Sequence, residues 1–183
     1  MPVRLKTNAQ LALVGLAGIL IGGCATREAR PPSPRPYPPV IAAPPSRPVS
    51  TEEYMKLSSS NALLVVRASE LAMRHSTRGS TLQIASRLKR DHTGIAGQLN
   101  LAGRRLNLLP PASMLMLDQV LFDGLSRASD FDVAYSRTMR SAVKNCLASH
   151  SAYSATGGSP TLRPVARFAA SVCRDEQALF RSR

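Results

Sequence analysis

Residues 50–183 predict an all-α fold: an antiparallel four-helix bundle with one extra short helix. Three observations lead there. Apolar residues recur at steps of three and four through long stretches, which is the spacing of one face of an α-helix. Capping signals, prolines and glycines cut those stretches into five. No segment alternates apolar and polar residues with the period of two that a half-buried strand shows.

The chain opens with Arg4 and Lys6, followed by an apolar run from Leu11 to Gly23. That run suits the core of a secretory signal peptide and falls short of the ~20 residues a membrane-spanning helix needs. It ends in Ile21-Gly22-Gly23-Cys24, which resembles the lipobox of bacterial lipoproteins. Residues 1–23 are therefore expected to be removed, leaving Cys24 as the lipidated first residue. Each buried lipid methylene contributes about 0.8 kcal/mol, so several acyl chains would hold the protein on a membrane. Ala25, in place of an aspartate, implies sorting to the outer membrane on its periplasmic face. From Pro31 to Pro48, nine of eighteen residues are proline. Each fixes φ and removes a donor, so residues 24–49 are expected to form a disordered, semi-rigid tether.

The first helix starts at a capping box, Ser50-Thr51-Glu52-Glu53, with Ser50 at N-cap and Glu53 at N3. Its apolar face is expected to carry Tyr54, Leu57, Asn61, Leu64, Ala68, Leu71 and His75. A very short connection near Ser76–Gly79 makes the second helix, about 80–107, antiparallel to it. That helix has the cleaner stripe: Ala85, Leu88, His92, Ile95, Leu99, Ala102 and Leu106. Pro110 and Pro111 end the pattern, and a shorter helix follows over about 113–127. Ser129-x-x-Asp132 opens the next long helix, which runs to about Tyr153. Gly157-Gly158-Ser159-Pro160 then stops one helix and starts another, with Ser159 at N-cap and Pro160 at N1, ending near Phe180.

Across that last hairpin Cys146 and Cys173 fall within about three residues of the same level, roughly 4–5 Å along the axis. Export to an oxidising compartment then predicts a Cys146–Cys173 disulfide. The exported part stays basic: residues 50–183 carry 18 Lys and Arg against 10 Asp and Glu. Such a surface suits anionic envelope components, which join the membrane itself, reached through Cys24, as expected partners. Nucleic acid is not expected, because the chain is exported and lacks Trp and interleaved aromatics for base stacking.

Asp91-His92, Leu109-Pro110, Phe131-Asp132-x-x-Tyr135 and Gly158 followed by Leu162 and Ala166 stand in an order and spacing that resemble the domain of unknown function 4142 family. The resemblance covers residues 54–181 and implies a ferritin-like bundle. Members of that family typically add a glutamate in the first helix and histidines in the third and fourth long helices. Those positions are Val65, Val143 and Glu176 here, so the resemblance implies that at least two polar members of the centre are gone.

His92 therefore stands in an apolar stripe, and three readings stay open: a packed, hydrogen-bonded core histidine, a remnant metal ligand, or a catalytic base. Packing is favoured, because residues 64 and 65, at its level in the first helix, are Leu and Val. There is no Glu-x-x-His pair for a di-iron centre, no His-Glu-x-x-His or Cys-x-x-Cys for zinc, and no Gly-x-Ser-x-Gly elbow. No catalytic residue and no cofactor are expected, and the interior is expected to be apolar. The chain is thus read as a non-enzymatic envelope or binding module. The alternative is a metal-binding or redox bundle using His92 with Glu176, joined by Glu70.

Overall fold

The first helix begins three residues after the last proline of the Pro-rich stretch, in a computed structural model that describes residues 49–180. The signal peptide, the Cys24 lipidation site and nearly all of the expected tether lie outside the described residues. Five helices follow: α1 Thr51–His75, α2 Gly79–Arg105, α3 Met116–Ser126, α4 Phe131–Thr156 and α5 Leu162–Ala178. No strand occurs among the described residues, and no described helix is long and apolar enough to cross a membrane.

Local chemistry accounts for the helix ends. Ser50 Oγ accepts from Glu53 N at 3.1 Å, satisfying one of the first-turn donors of α1. At the end of α2, Leu108 N donates to Gly103 O and Asn107 N to Arg104 O, while Asn107 takes φ 51°. This pattern is a Schellman cap, with asparagine at the left-handed position. It also explains Gly103: a Cβ there would lie 2.4 Å from Leu108 O, so the returning chain leaves no room for a side chain.

Three starts differ from expectation. The cap of α4 is Asp130, whose Oδ1 accepts from Val133 N at 3.2 Å, and not Ser129. Helix α3 begins at Met116 and not near Ser113, and the amide of its N-cap residue, Leu115, is satisfied from another helix. Ser60 of α1 accepts from Leu115 N at 2.8 Å and donates to Asp118 in the first turn of α3. The short helix is thus pinned to α1 through one buried serine. Helix α5 starts at Leu162, two residues beyond Pro160, although Ser159 Oγ still accepts from Leu162 N at 3.3 Å.

Helices α1 and α2 form one hairpin and α4 and α5 another, and the two pack side by side with α1 against α4 and α2 against α5. The stripe of α2 is buried as its spacing predicts, with Ala85, Leu88, His92, Ile95 and Leu99 each at most 0% exposed. Helix α1 is rotated slightly from expectation: Leu57 is 43% exposed, and Ser58, Ser59 and Ser60 are buried instead.

Four polar contacts cross the apolar core between the hairpins. Thr51 Oγ1 and Tyr153 Oη lie 2.9 Å apart, Tyr54 Oη and His150 Nδ1 2.7 Å, Ser69 Oγ and Tyr135 Oη 3.0 Å, and His92 Nε2 and Glu176 Oε2 3.1 Å. Tyr54 also stacks on Tyr153 with ring centroids 3.8 Å apart. At the hairpin turn, Ser76 Oγ donates to Asp132 Oδ1 at 2.6 Å, clamping the α1–α2 connection to the start of α4. That hydrogen bond, with a second from Thr81, holds the Asp132 carboxyl below its usual range.

A buried histidine, glutamate and cysteine pair as the candidate functional site

His92 projects from the middle of α2 and Glu176 from the last turn and a half of α5, and both are fully buried. Their contact is the 3.1 Å approach of His92 Nε2 to Glu176 Oε2. Where Glu176 is ionised and His92 neutral, Nε2–H donates and Nδ1 keeps the lone pair. His92 Nδ1 and Glu176 Oε1 are both buried without a partner. A buried polar atom left unsatisfied costs about 1–3 kcal/mol, so two of them at one place mark a centre not optimised for packing alone.

Cys146 and Cys173 lie beside this pair. They form the expected disulfide between α4 and α5, with Cα atoms 6.1 Å apart and a sequence separation of 27. One ligand atom each from His92, Cys146 and Cys173 falls within 4.8 Å of the others, and all three residues are buried. The bundle centre therefore differs from the apolar interior expected. Leu64, Val65 and Val143 are buried and apolar as foreseen, yet polar groups converge from α2, α4 and α5. Glu176 meets His92, as the alternative reading required. Glu70 does not: it pairs at the surface with Lys89, 3.1 Å away. The link between His92 and the two cysteines was missed. The sequence signal for it is indirect, because Cys173 and Glu176 sit three residues apart and so share a face of α5.

His150 forms a second buried polar position. Burial, with a smaller contribution from the His92 imidazole, holds its pKa down at about 4. Burial likewise pushes the Tyr54 hydroxyl up, so the Tyr54–His150 contact joins two neutral groups. The unfolded chain, with an ordinary histidine near pH 6.5, takes up the proton first. Stability is therefore complete above about pH 6.5 and falls as pH drops toward 4, by on the order of 2–3 kcal/mol from this residue. Urea unfolding across that range should show the loss, and His150→Asn should flatten it. An imidazole that titrates near 6.5 in the native protein, followed by NMR, would contradict this assignment.

A cavity of about 740 Å³ opens between α1, α3 and α4. Leu57 and Asn61 of α1, the apolar side chains and Asp118 of α3, and Asn145 and Ser149 of α4 form its walls, with the buried Cys146 and His150 also lining it. On its rim Met116 and Leu117 are each 79% exposed and Val120 61%.

The fold has a counterpart among solved structures. "CopM in the Cu(II)-bound form" aligns with a TM-score of 0.60 over 72% of this chain and 90% of that one, at 14% identity. At that identity the likeness is one of fold. No curated protein matches the sequence. The helical bundle, the Asp91-His92 and Phe131-Asp132-x-x-Tyr135 motifs and the family comparison agree: residues 37–180 match the model for Domain of unknown function (DUF4142), and the chain belongs to that family.

Proposed function

We propose that this protein is a lipid-anchored, non-enzymatic binding module of the bacterial outer membrane, held on the periplasmic face by acylated Cys24. The reading of the bundle as a binding module rests on one observation, the open cavity between α1, α3 and α4. Its volume lies within the ~300–1,000 Å³ typical of small-molecule sites. Its walls are mainly apolar, with a few amides and hydroxyls from Asn61, Asn145 and Ser149. Large apolar side chains clustered on one exposed helix face mark an interaction site more often than a bare surface. An apolar ligand with one polar end fits such a lining.

The test uses the exported full chain carrying Cys24→Ser, so that no attached lipid competes. A fluorescent hydrocarbon probe such as N-phenylnaphthylamine should bind saturably, and Val120→Asp with Leu121→Asp should weaken it at least about tenfold, or about 1.4 kcal/mol. Absence of saturable binding would remove the cavity as a site. The anchor has its own test: globomycin should cause the uncleaved precursor to accumulate, and palmitate labelling should vanish with Cys24→Ser.

A second reading, a metal-binding bundle, is favoured by the His92–Glu176 pair beside two cysteines. It also suits a fold shared with a protein solved with Cu(II).

A further inference from the structure

The disulfide and the histidine occupy one place, and this has a chemical consequence. We propose that Cys146 and Cys173, once reduced, combine with His92 into a three-ligand site for a thiophilic d10 cation, Zn²⁺ or Cu⁺, which the disulfide closes in the oxidised protein. This rests on the metal-binding reading and deepens it by naming the ligands and the switch.

The geometry supports it at three points. A tetrahedral zinc ion with bonds of about 2.0 Å to nitrogen and 2.3 Å to sulfur needs its donors roughly 3.5–3.8 Å apart. One ring nitrogen of His92 and the two sulfurs already lie within 4.8 Å of one another, so opening the S–S bond requires only a local separation of the sulfurs. His92 Nδ1 is buried with no hydrogen-bond partner, while the other ring nitrogen lies 3.1 Å from Glu176 Oε2. A ligating histidine usually has this arrangement, in which a carboxylate fixes the tautomer and the ring orientation. Glu176 is thus a positioning residue. Cys146 also lines the cavity between α1, α3 and α4, which supplies an entry path.

The chemistry balances simply. Breaking the Cys146–Cys173 bond takes two electrons and two protons. A dithiol reductant supplies both and leaves as its own disulfide. The cation then displaces the two thiol protons to solvent, and Zn²⁺ neutralises the two thiolates that a buried site would otherwise leave uncompensated.

The test compares oxidised and reduced full chain carrying Cys24→Ser, without oxygen, with a water-soluble phosphine as reductant removed before metal is added. Reduced protein should bind one Co²⁺ per chain with thiolate-to-cobalt charge-transfer absorption, and Zn²⁺ should displace it. A parallel competition against a Cu⁺ chelator decides which cation is held more tightly. Oxidised protein and the Cys146→Ser/Cys173→Ser double variant should show no such absorption. Glu176→Gln should weaken binding about 10–100-fold, and His92→Gln at least as much, with helicity by circular dichroism confirming that each variant folds. If neither redox state binds Co²⁺, Zn²⁺ or Cu⁺, both the site and the metal-binding reading fail. If oxidised protein binds as well as reduced, the metal-binding reading stands and the disulfide gate fails. Binding to reduced protein that is unchanged in a folded His92→Gln variant would overturn the ligand set.

Discussion

Replacing His92 with alanine in the oxidised protein will cost roughly 3–5 kcal/mol of unfolding free energy, the range for removing one partner of a fully buried polar pair. Truncation leaves Glu176 with both carboxylate oxygens unpartnered at a fully buried position, and adds a cavity where the ring was. The conservative change Glu176→Gln keeps an acceptor for His92 Nε2–H and should cost no more than about 1–2 kcal/mol. Replacing both residues by apolar ones of similar size, His92→Leu with Glu176→Met, should return stability to within about 1 kcal/mol of the parent. Urea unfolding of the parent, His92→Leu, Glu176→Met and the double variant gives the coupling between the two positions directly. A cost below about 1 kcal/mol for His92→Ala would show that the pair is not a buried contact.

The disulfide carries the second large effect. It closes a loop with a sequence separation of 27, for which the chain-entropy account gives about 3–4 kcal/mol. Reduction, or Cys146→Ala with Cys173→Ala, should lower the unfolding free energy by that amount and bring the urea midpoint down with it. The dependence on denaturant should also steepen, because the unfolded chain then exposes more surface. Denatured, unreduced protein should react with no equivalent of Ellman's reagent at these two cysteines. A stability change below about 1 kcal/mol would reject the entropic account for this loop.

How far these features were legible differs from helix to helix. The α2 stripe could be read directly because its steps of three and four admit only one inward face. The same arithmetic placed Cys146 opposite Cys173, since a hairpin with a short turn fixes which residues share a level. In α1 the pattern misled by part of a turn. Leu57 fitted the stripe, but α3 packs there through Ser60 and leaves Leu57 on the cavity wall. Nothing in the α1 sequence alone announces a serine serving the amides of a helix 55 residues later. The convergence of His92 with the cysteines was hidden for a related reason. It depends on which hairpin faces are apposed and how each helix is rotated, and periodicity within one helix says nothing about either. The Schellman cap at Asn107 was equally hidden, because asparagine signals a left-handed residue far less strongly than glycine.

The polar pairs linking the two hairpins have a consequence for alignment. An all-leucine seam can slide by one turn, about 5.4 Å, with little penalty, because one hydrocarbon contact replaces another. Here such a slip would separate Tyr54 from His150, Ser69 from Tyr135 and His92 from Glu176 together, stranding six groups in an apolar medium. The two halves can therefore mate in a single register. The groups that look like flaws in the packing serve as its index marks.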